Sequence, residues 1–120
     1  MHELSLARSV EHIVTRAAGG RRVTVVEIVV GELRQVVPDT LRRCWDLTVE
    51  TTDLAGAQLR VRSIPAVISC QECGATTRLA EVPIMRCATC GSQAVRLVSG
   101  EEFLVTTIEL EVGDGTIPPA

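Results

Sequence analysis

Four of the five cysteines lie in two short segments, Cys70-Gln71-Glu72-Cys73-Gly74 and Cys87-Ala88-Thr89-Cys90-Gly91, with thirteen residues between Cys73 and Cys87. A Cys-x-x-Cys turn aims two thiolates at one point, and two such turns close a tetrahedron of sulfurs. That donor set holds structural zinc, with Zn–S bonds of about 2.3 Å and no position open for water. The glycine after each pair suits a tight knuckle, which bends back through φ > 0 where a Cβ would clash. The spacing is slightly shorter than the common four-cysteine zinc template and shares its logic. A pair of disulfides and a redox-active Cys-x-x-Cys are the competing readings. Disulfide-held secreted mini-proteins are usually shorter and open with a signal peptide. This chain opens Met1-His2-Glu3-Leu4-Ser5-Leu6-Ala7-Arg8, without a basic segment or an unbroken apolar run. A thioredoxin-like motif has a single Cys-x-x-Cys at a helix N-terminus, not two facing knuckles. The expectation is a cytoplasmic protein whose Cys70, Cys73, Cys87 and Cys90 hold zinc.

The second set of donors sits at the N-terminus. His2 brings the Met1 amine, its own backbone amide and its imidazole within one chelate, and the Glu3 amide offers a fourth nitrogen. The Glu3 carboxylate is an oxygen alternative. Nitrogen-rich, tetragonal sets are preferred by Ni(II) and Cu(II), whereas zinc favours the tetrahedral thiolates, so the two sites would sort metals by geometry. Taken alone, His2 reads more simply as a polar terminus ahead of a helix. The other histidine, His12, lies ten residues further on, about 15 Å along a continuous helix, and reads as a surface residue. Cys44 reads as a small buried hydrophobe.

The elements that must position these groups are legible as patterns. Leu6, Val10, Ile13, Val14 and Ala17 form one apolar stripe of a helix that Ser5 caps and Gly19-Gly20 end. Arg22 to Gly31 is dense in β-branched residues and reads as a buried central strand. Pro38 opens a second helix, with Asp39 in its first turn and Leu41, Cys44, Trp45 and Thr48 facing inward. Gln58 to Ile64 alternates as a half-exposed strand before Pro65. Phe103 to Val112 reads as a last strand with Leu104, Ile108 and Leu110 on its inner face, and 113–120 as a frayed tail. The fold class is therefore α+β: a small three-stranded sheet with two helices, plus an inserted zinc-ribbon-like domain. The division expected is a discontinuous α/β domain over 1–65 and 99–120, with the zinc domain at 66–98. That insertion has little apolar core of its own and depends on the metal for its fold.

Composition excludes several classes. The chain has 120 residues, 46% hydrophobic but only 2% aromatic, so its core is aliphatic. No apolar run approaches the ~18–20 residues of a membrane span. Net charge is −3 and the pI is near 5.4, whereas a nucleic-acid partner asks for a basic surface and stacking aromatics. No Ser/His/Asp set, phosphate-cradling glycine loop or nucleophile elbow is present, and the protein is not expected to be an enzyme.

Met1-His2-Glu3-Leu4-Ser5-Leu6, Val29-Val30-Gly31-Glu32-Leu33, Pro38 to Trp45, the two knuckles and Ser99-Gly100-Glu101-Glu102-Phe103 together resemble the HypA/HybF family of hydrogenase maturation factors. The resemblance covers nearly the whole chain. It implies an α/β nickel-binding domain with an inserted zinc domain, nickel bound at His2 with Glu3 as a neighbour in the same site, and zinc held by the four knuckle cysteines. It further implies delivery of nickel to the large subunit of NiFe hydrogenase, in concert with a nickel-binding GTPase of the same pathway, by a monomer or weak homodimer. Some relatives carry a further histidine near the zinc domain. Residues 65–100 contain none, so an imidazole ligand from that domain is ruled out. A nickel chaperone for urease, and a zinc-ribbon adaptor that never handles nickel, are the other readings.

Overall fold

The structure, a computed structural model, describes residues 2–80 and 83–111. The elements run α1 (Glu3–Ala18), β1 (Val23–Gly31), a 3-10 turn (Glu32–Arg34), α2 (Pro38–Val49), β2 (Gln58–Ile64), β3 (Val67–Cys70), β4 (Thr76–Arg78), β5 (Val95–Ser99) and β6 (Phe103–Leu110). They form two three-stranded sheets, in the orders β2-β1-β6 and β4-β3-β5. The α+β class expected from the sequence is observed, with a second small sheet that the sequence reading did not contain. The expected frayed tail, 113–120, lies outside the described residues.

The chain divides into two compact units. The first runs to Ile28, resumes over Val36–Val61 and again from Val105; the second comprises Val29–Gln35 and Arg62–Leu104. The second thus takes in more chain than the 66–98 stretch that carries the cysteines.

In the first unit α1 packs on α2. Glu3, Ala7, Val10, Val14 and Ala18 are its buried residues, a stripe at helical spacing. The stripe is rotated from the expected one: Ile13 is 47% exposed, Ala17 is exposed and Leu6 half-buried. Helix α1 begins at Glu3 with His2 as its N-cap, so Ser5 lies inside the helix and does not cap it. Its end is as expected, at Gly19 in the left-handed region.

Helix α2 opens with Pro38 at its first position, where a missing N–H costs nothing. Leu41, Trp45 and Val49 are buried, while Cys44 and Thr48 are only half-buried, so Cys44 is not the fully buried hydrophobe expected. Trp45 is the largest fully enclosed side chain, and its indole N–H donates to the Ala57 carbonyl at 2.8 Å. On β6 the expected alternation breaks. Thr106 and Thr107 are both exposed, and both hydroxyls donate to Glu27, one to its carbonyl at 3.1 Å and one to its carboxylate at 3.4 Å. Two consecutive outward residues shift the phase, so Leu104 is 58% exposed while Phe103, Val105, Ile108 and Leu110 are half-buried.

The second unit has a core after all. Ala66, Ile68 and Leu79 are buried together, with Leu33, Val95 and Leu97 packed on them. Strand β3 pairs antiparallel with β4 and with β5. Backbones meet closely here: a Cβ on Gly31 would lie 2.0 Å from the Gly100 carbonyl carbon, and a Cβ on Gly100 would lie 2.7 Å from the Ala66 Cα. The Gly31 amide donates to the Glu102 carbonyl at 2.7 Å and the Leu33 amide to Gly100 at 2.9 Å. Glu32 adds a two-armed tie, accepting the Ala66 amide at 2.8 Å on one carboxylate oxygen and the Arg78 guanidinium at 3.0 Å on the other. These bonds draw its carboxyl below the ordinary range, the Ala66 amide first and Arg78 second, against the effect of burial.

Candidate metal centres

The two knuckles are built alike. In the first, the Gly74 amide donates to the Cys70 carbonyl at 3.1 Å and the Cys70 amide to Ala75 at 2.8 Å; in the second, Gly91 donates to Cys87 and Cys87 to Ser92, both at 2.9 Å. Gly74 and Gly91 sit at φ 76° and 77°, which only glycine adopts freely. This local closure brings Cys70, Cys73, Cys87 and Cys90 together, with all four sulfurs within 4.8 Å of one another. Cys70 and Cys90 sulfurs lie 3.6 Å apart, as do those of Cys73 and Cys87. A regular tetrahedron with bonds of about 2.3 Å to a central metal has edges of about 3.8 Å, so the sulfurs fit a four-coordinate ion. The first cysteine of each knuckle is buried and the second exposed.

The sulfurs differ electrostatically. Cys70 is lowered, first by the Cys73 amide, then by the Glu72 amide and the Cys90 and Cys73 thiols, against burial. Cys87 falls to about 6: the Cys90 amide leads, burial opposes, and the Thr89 amide and the Cys73 and Cys90 thiols add to the lowering. Cys73 moves the other way; the Ala75 amide pulls it down, but the neighbouring Cys87 and Cys70 sulfurs and burial outweigh it. Cys90 is pushed up to about 12, the Ser92 amide being overcome by the Cys70 sulfur, burial and the Cys73 and Cys87 sulfurs. The exposed pair therefore holds its protons more firmly than the buried pair, and in each close contact either sulfur can donate. A soft divalent cation entering the centre displaces the protons.

At the N-terminus His2 is exposed and precedes the first turn of α1, with the Leu6 amide donating to its carbonyl at 2.9 Å. The amides of that turn lie outside the intrahelical ladder. Glu3 is 4% exposed, the one charged residue in the buried set among the described residues. Its Oε2 accepts the Val37 amide at 3.1 Å, and Val37 is the N-cap of α2, which has no side-chain cap of its own. Hydrogen bonding from the N-terminal amine, then from the amides of Val37 and of Glu3 itself, holds this carboxyl at about 2 despite burial. Glu3 thus fixes the start of both helices, a role the sequence did not reveal because Val37 meets it only in the fold. His12 is exposed on α1. Among the described residues the four cysteines are the one group of three or more His, Cys, Asp or Glu side chains placed to hold a metal, and no helix is long and apolar enough to cross a membrane.

Comparison with known proteins follows the same lines. Residues 1–110 match the model of a family described as hydrogenase/urease nickel incorporation, metallochaperone, hypA. The chain is 40% identical to the hydrogenase maturation factor HypA of Geotalea uraniireducens over 111 residues, which cover 92% of this chain and all of that one. It is 38% identical to the HypA of Geobacter metallireducens over 115 residues, with the same coverage. The solution structure of the Ni metallochaperone HypA from Helicobacter pylori superposes with a TM-score of 0.64 at 18% identity, over 92% of this chain and 97% of that one.

Proposed function

Because this chain belongs to the HypA family of nickel-incorporation metallochaperones, we propose that it binds Ni(II) at its N-terminus and hands it to the large subunit of NiFe hydrogenase. The observation that carries the proposal is the placement of His2, exposed at the head of α1 directly before a residue anchored by the buried Glu3 carboxylate. The imidazole, the chain amine and the His2 and Glu3 amides are the donors, a nitrogen-rich set of the kind nickel prefers. The Glu3 carboxylate serves as a neighbour that fixes this backbone. Cys70, Cys73, Cys87 and Cys90 hold zinc, whose closed four-sulfur shell supplies structure and neither redox chemistry nor a bound water.

The chain acts as a carrier and not as a catalyst, in the cytoplasm. Cargo leaves by ligand exchange, in which a partner's donors displace the imidazole and main-chain nitrogens one at a time, so an exposed site is a requirement. The partners proposed are the maturation GTPase that binds nickel and the hydrogenase large subunit; nucleic acid and membrane are not among them. Urease is the alternative client, a reading supported by the breadth of the matching family, and a pull-down from cells making one enzyme or the other separates the two. Calorimetric Ni(II) titration of the untagged protein, of a form with two residues added before Met1, and of His2→Ala tests the site. Both variants should lose affinity to a similar degree with zinc content unchanged. Tight binding by His2→Ala would refute an N-terminal site, and tight binding by the extended form would refute the main-chain donors.

A further inference from the structure

The four sulfurs of the cysteine centre are not equivalent towards solvent. Cys70 and Cys87 are 3% and 2% exposed, whereas Cys73 and Cys90 are open, so the tetrahedron has one buried edge and one solvent edge. The buried sulfurs also accept amide hydrogen bonds, from Cys73 at 3.4 Å and from Thr89 at 3.4 Å. The Ala75 and Ser92 amides act in the same way on Cys73 and Cys90, so it is exposure that singles out Cys73 and Cys90 as the sulfurs a dissolved oxidant meets first. The close contacts cross between knuckles: Cys90 lies 3.6 Å from Cys70, and Cys73 lies 3.6 Å from Cys87. Each exposed sulfur therefore has a buried sulfur of the other knuckle beside it.

We propose that the four-cysteine centre is also a site of oxidative modification by peroxides, entered at Cys73 and Cys90 and closed as cross-knuckle disulfides, Cys70–Cys90 and Cys73–Cys87. The inference rests on the metal-centre reading above. In the first step the Cys90 sulfur, a thiolate where a bound metal has displaced its proton, attacks a peroxide oxygen, the O–O bond breaks, hydroxide leaves, and the sulfur becomes a sulfenic acid. In the second, the Cys70 thiolate attacks that sulfur, the S–O bond breaks, and a second hydroxide leaves. Two thiolates have then given two electrons to one peroxide, which ends as two hydroxides. The Cys73–Cys87 pair reacts in the same way. The first disulfide removes two of the four metal ligands, so oxidation ejects the metal and withdraws its hold on the two knuckles. A thiol reductant reverses the change.

The sequence makes the test direct. Arginines at 62, 78, 86 and 96, with no lysine in the chain, let trypsin release Cys70 and Cys73 in one peptide and Cys87 and Cys90 in another. A cross-knuckle disulfide joins the two peptides, whereas a disulfide within a knuckle leaves them separate. Glu72 allows a second protease to cut between Cys70 and Cys73. The protein is the full chain carrying Cys44→Ser, which removes the fifth thiol, and its zinc content is measured before any treatment. Less than one zinc per chain at that stage counts against the zinc assignment and leaves the oxidation chemistry to be read on the metal-free chain, where the same pairs are expected. Hydrogen peroxide should yield the joined peptides, with zinc appearing on a chromogenic chelator in step with them. A brief pulse of N-ethylmaleimide on the untreated protein should label Cys73 and Cys90 several-fold ahead of Cys70 and Cys87. Predominant disulfides within the knuckles, or labelling of the buried pair first, would overturn the proposal, as would zinc release without any disulfide.

Discussion

Adding a single methyl group at Gly31 tests the packing that holds the second unit together. An alanine there puts its Cβ 2.0 Å from both the carbon and the oxygen of the Gly100 carbonyl and 2.5 Å from the Glu101 nitrogen. All three are main-chain atoms, so no side chain can swing away and the backbones must part by more than 1 Å (about 3.5 Å is a normal carbon contact). Parting them stretches the Gly31-to-Glu102 and Leu33-to-Gly100 hydrogen bonds, at 2.7 and 2.9 Å, beside two buried glycines. Overpacking costs about 1–3 kcal/mol and each lost bond about 1 kcal/mol, more where a buried group is left unpaired. The expected loss is therefore about 3–5 kcal/mol, in the range reserved for core defects. Gly31 lies at φ −72°, so its alanine meets the steric clash without any left-handed strain. Gly56→Ala is the converse comparison, at φ 86° with nothing within 4 Å of the new Cβ, and should cost about 1–2 kcal/mol from the backbone alone. Urea unfolding of each variant against the unsubstituted protein reads the difference, and transfer of metal to a chelator reports on the second unit, which holds Gly31. A Gly31→Ala protein as stable as Gly56→Ala would refute the close approach.

Glu3 makes stability sensitive to acid. Its folded carboxyl is held at about 2 against an ordinary 4.5, so its contribution is complete above 4.5 and disappears as pH falls through 2; urea midpoints of wild type and Glu3→Gln should converge across that window. At neutral pH, Glu3→Ala leaves the Val37 amide without its acceptor and should cost about 1–3 kcal/mol, measured by thermal unfolding. Cys87→Ser should lose the metal and loosen the knuckles while Trp45 fluorescence stays native, because Trp45 belongs to the first unit and its indole N–H is bonded there to Ala57. An emission shift in that variant would show that the metal also supports the first unit. Zinc loading of the metal-free chain at neutral pH in weak buffer should release at least about two protons, those held by Cys73 and Cys90, as followed by a pH indicator.

What the sequence revealed was what short stretches decide by themselves. The knuckles close through bonds between near neighbours, such as Gly74 to Cys70 and Cys87 to Ser92, so the cysteine spacing alone located the centre. Gly19 and Pro38 marked the end of one helix and the start of the next because each acts on its own backbone. The orientation of α1 was less legible, since Ala7 and Ala18 are buried while the larger Ile13 is left outside. Side-chain hydrophobicity alone does not set that rotation. The cap from Glu3 to Val37, the tie from Glu32 to Ala66 and the contact of Gly31 with Gly100 join residues far apart in the chain. Nothing local announces them. The second core escaped notice because Leu33, from the turn after β1, completes a cluster whose other members follow Pro65.

The two donor sets also differ in how firmly each would keep a cation. The sulfur centre is enclosed by two knuckles whose amides already stabilise thiolate charge, so a metal there meets negative donors fixed by the fold. His2 stands at the N-terminal end of a sixteen-residue helix, where the aligned peptide dipoles amount to roughly half a positive charge. That field opposes a cation by about 0.3–1 kcal/mol, or up to about fivefold in affinity. Glu3, buried in the first turn and ionised down to about pH 2, offsets part of the opposition while its carboxylate remains occupied in capping α2. Deprotonated main-chain amides would supply further negative charge, but only after proton loss that a neutral donor set does not require. Under the proposed function, a metal at this end of the helix is held by an exposed and partly opposed set of donors and one in the second unit by four sulfurs of which two are buried, which is the ordering a carrier needs between its cargo and its scaffold.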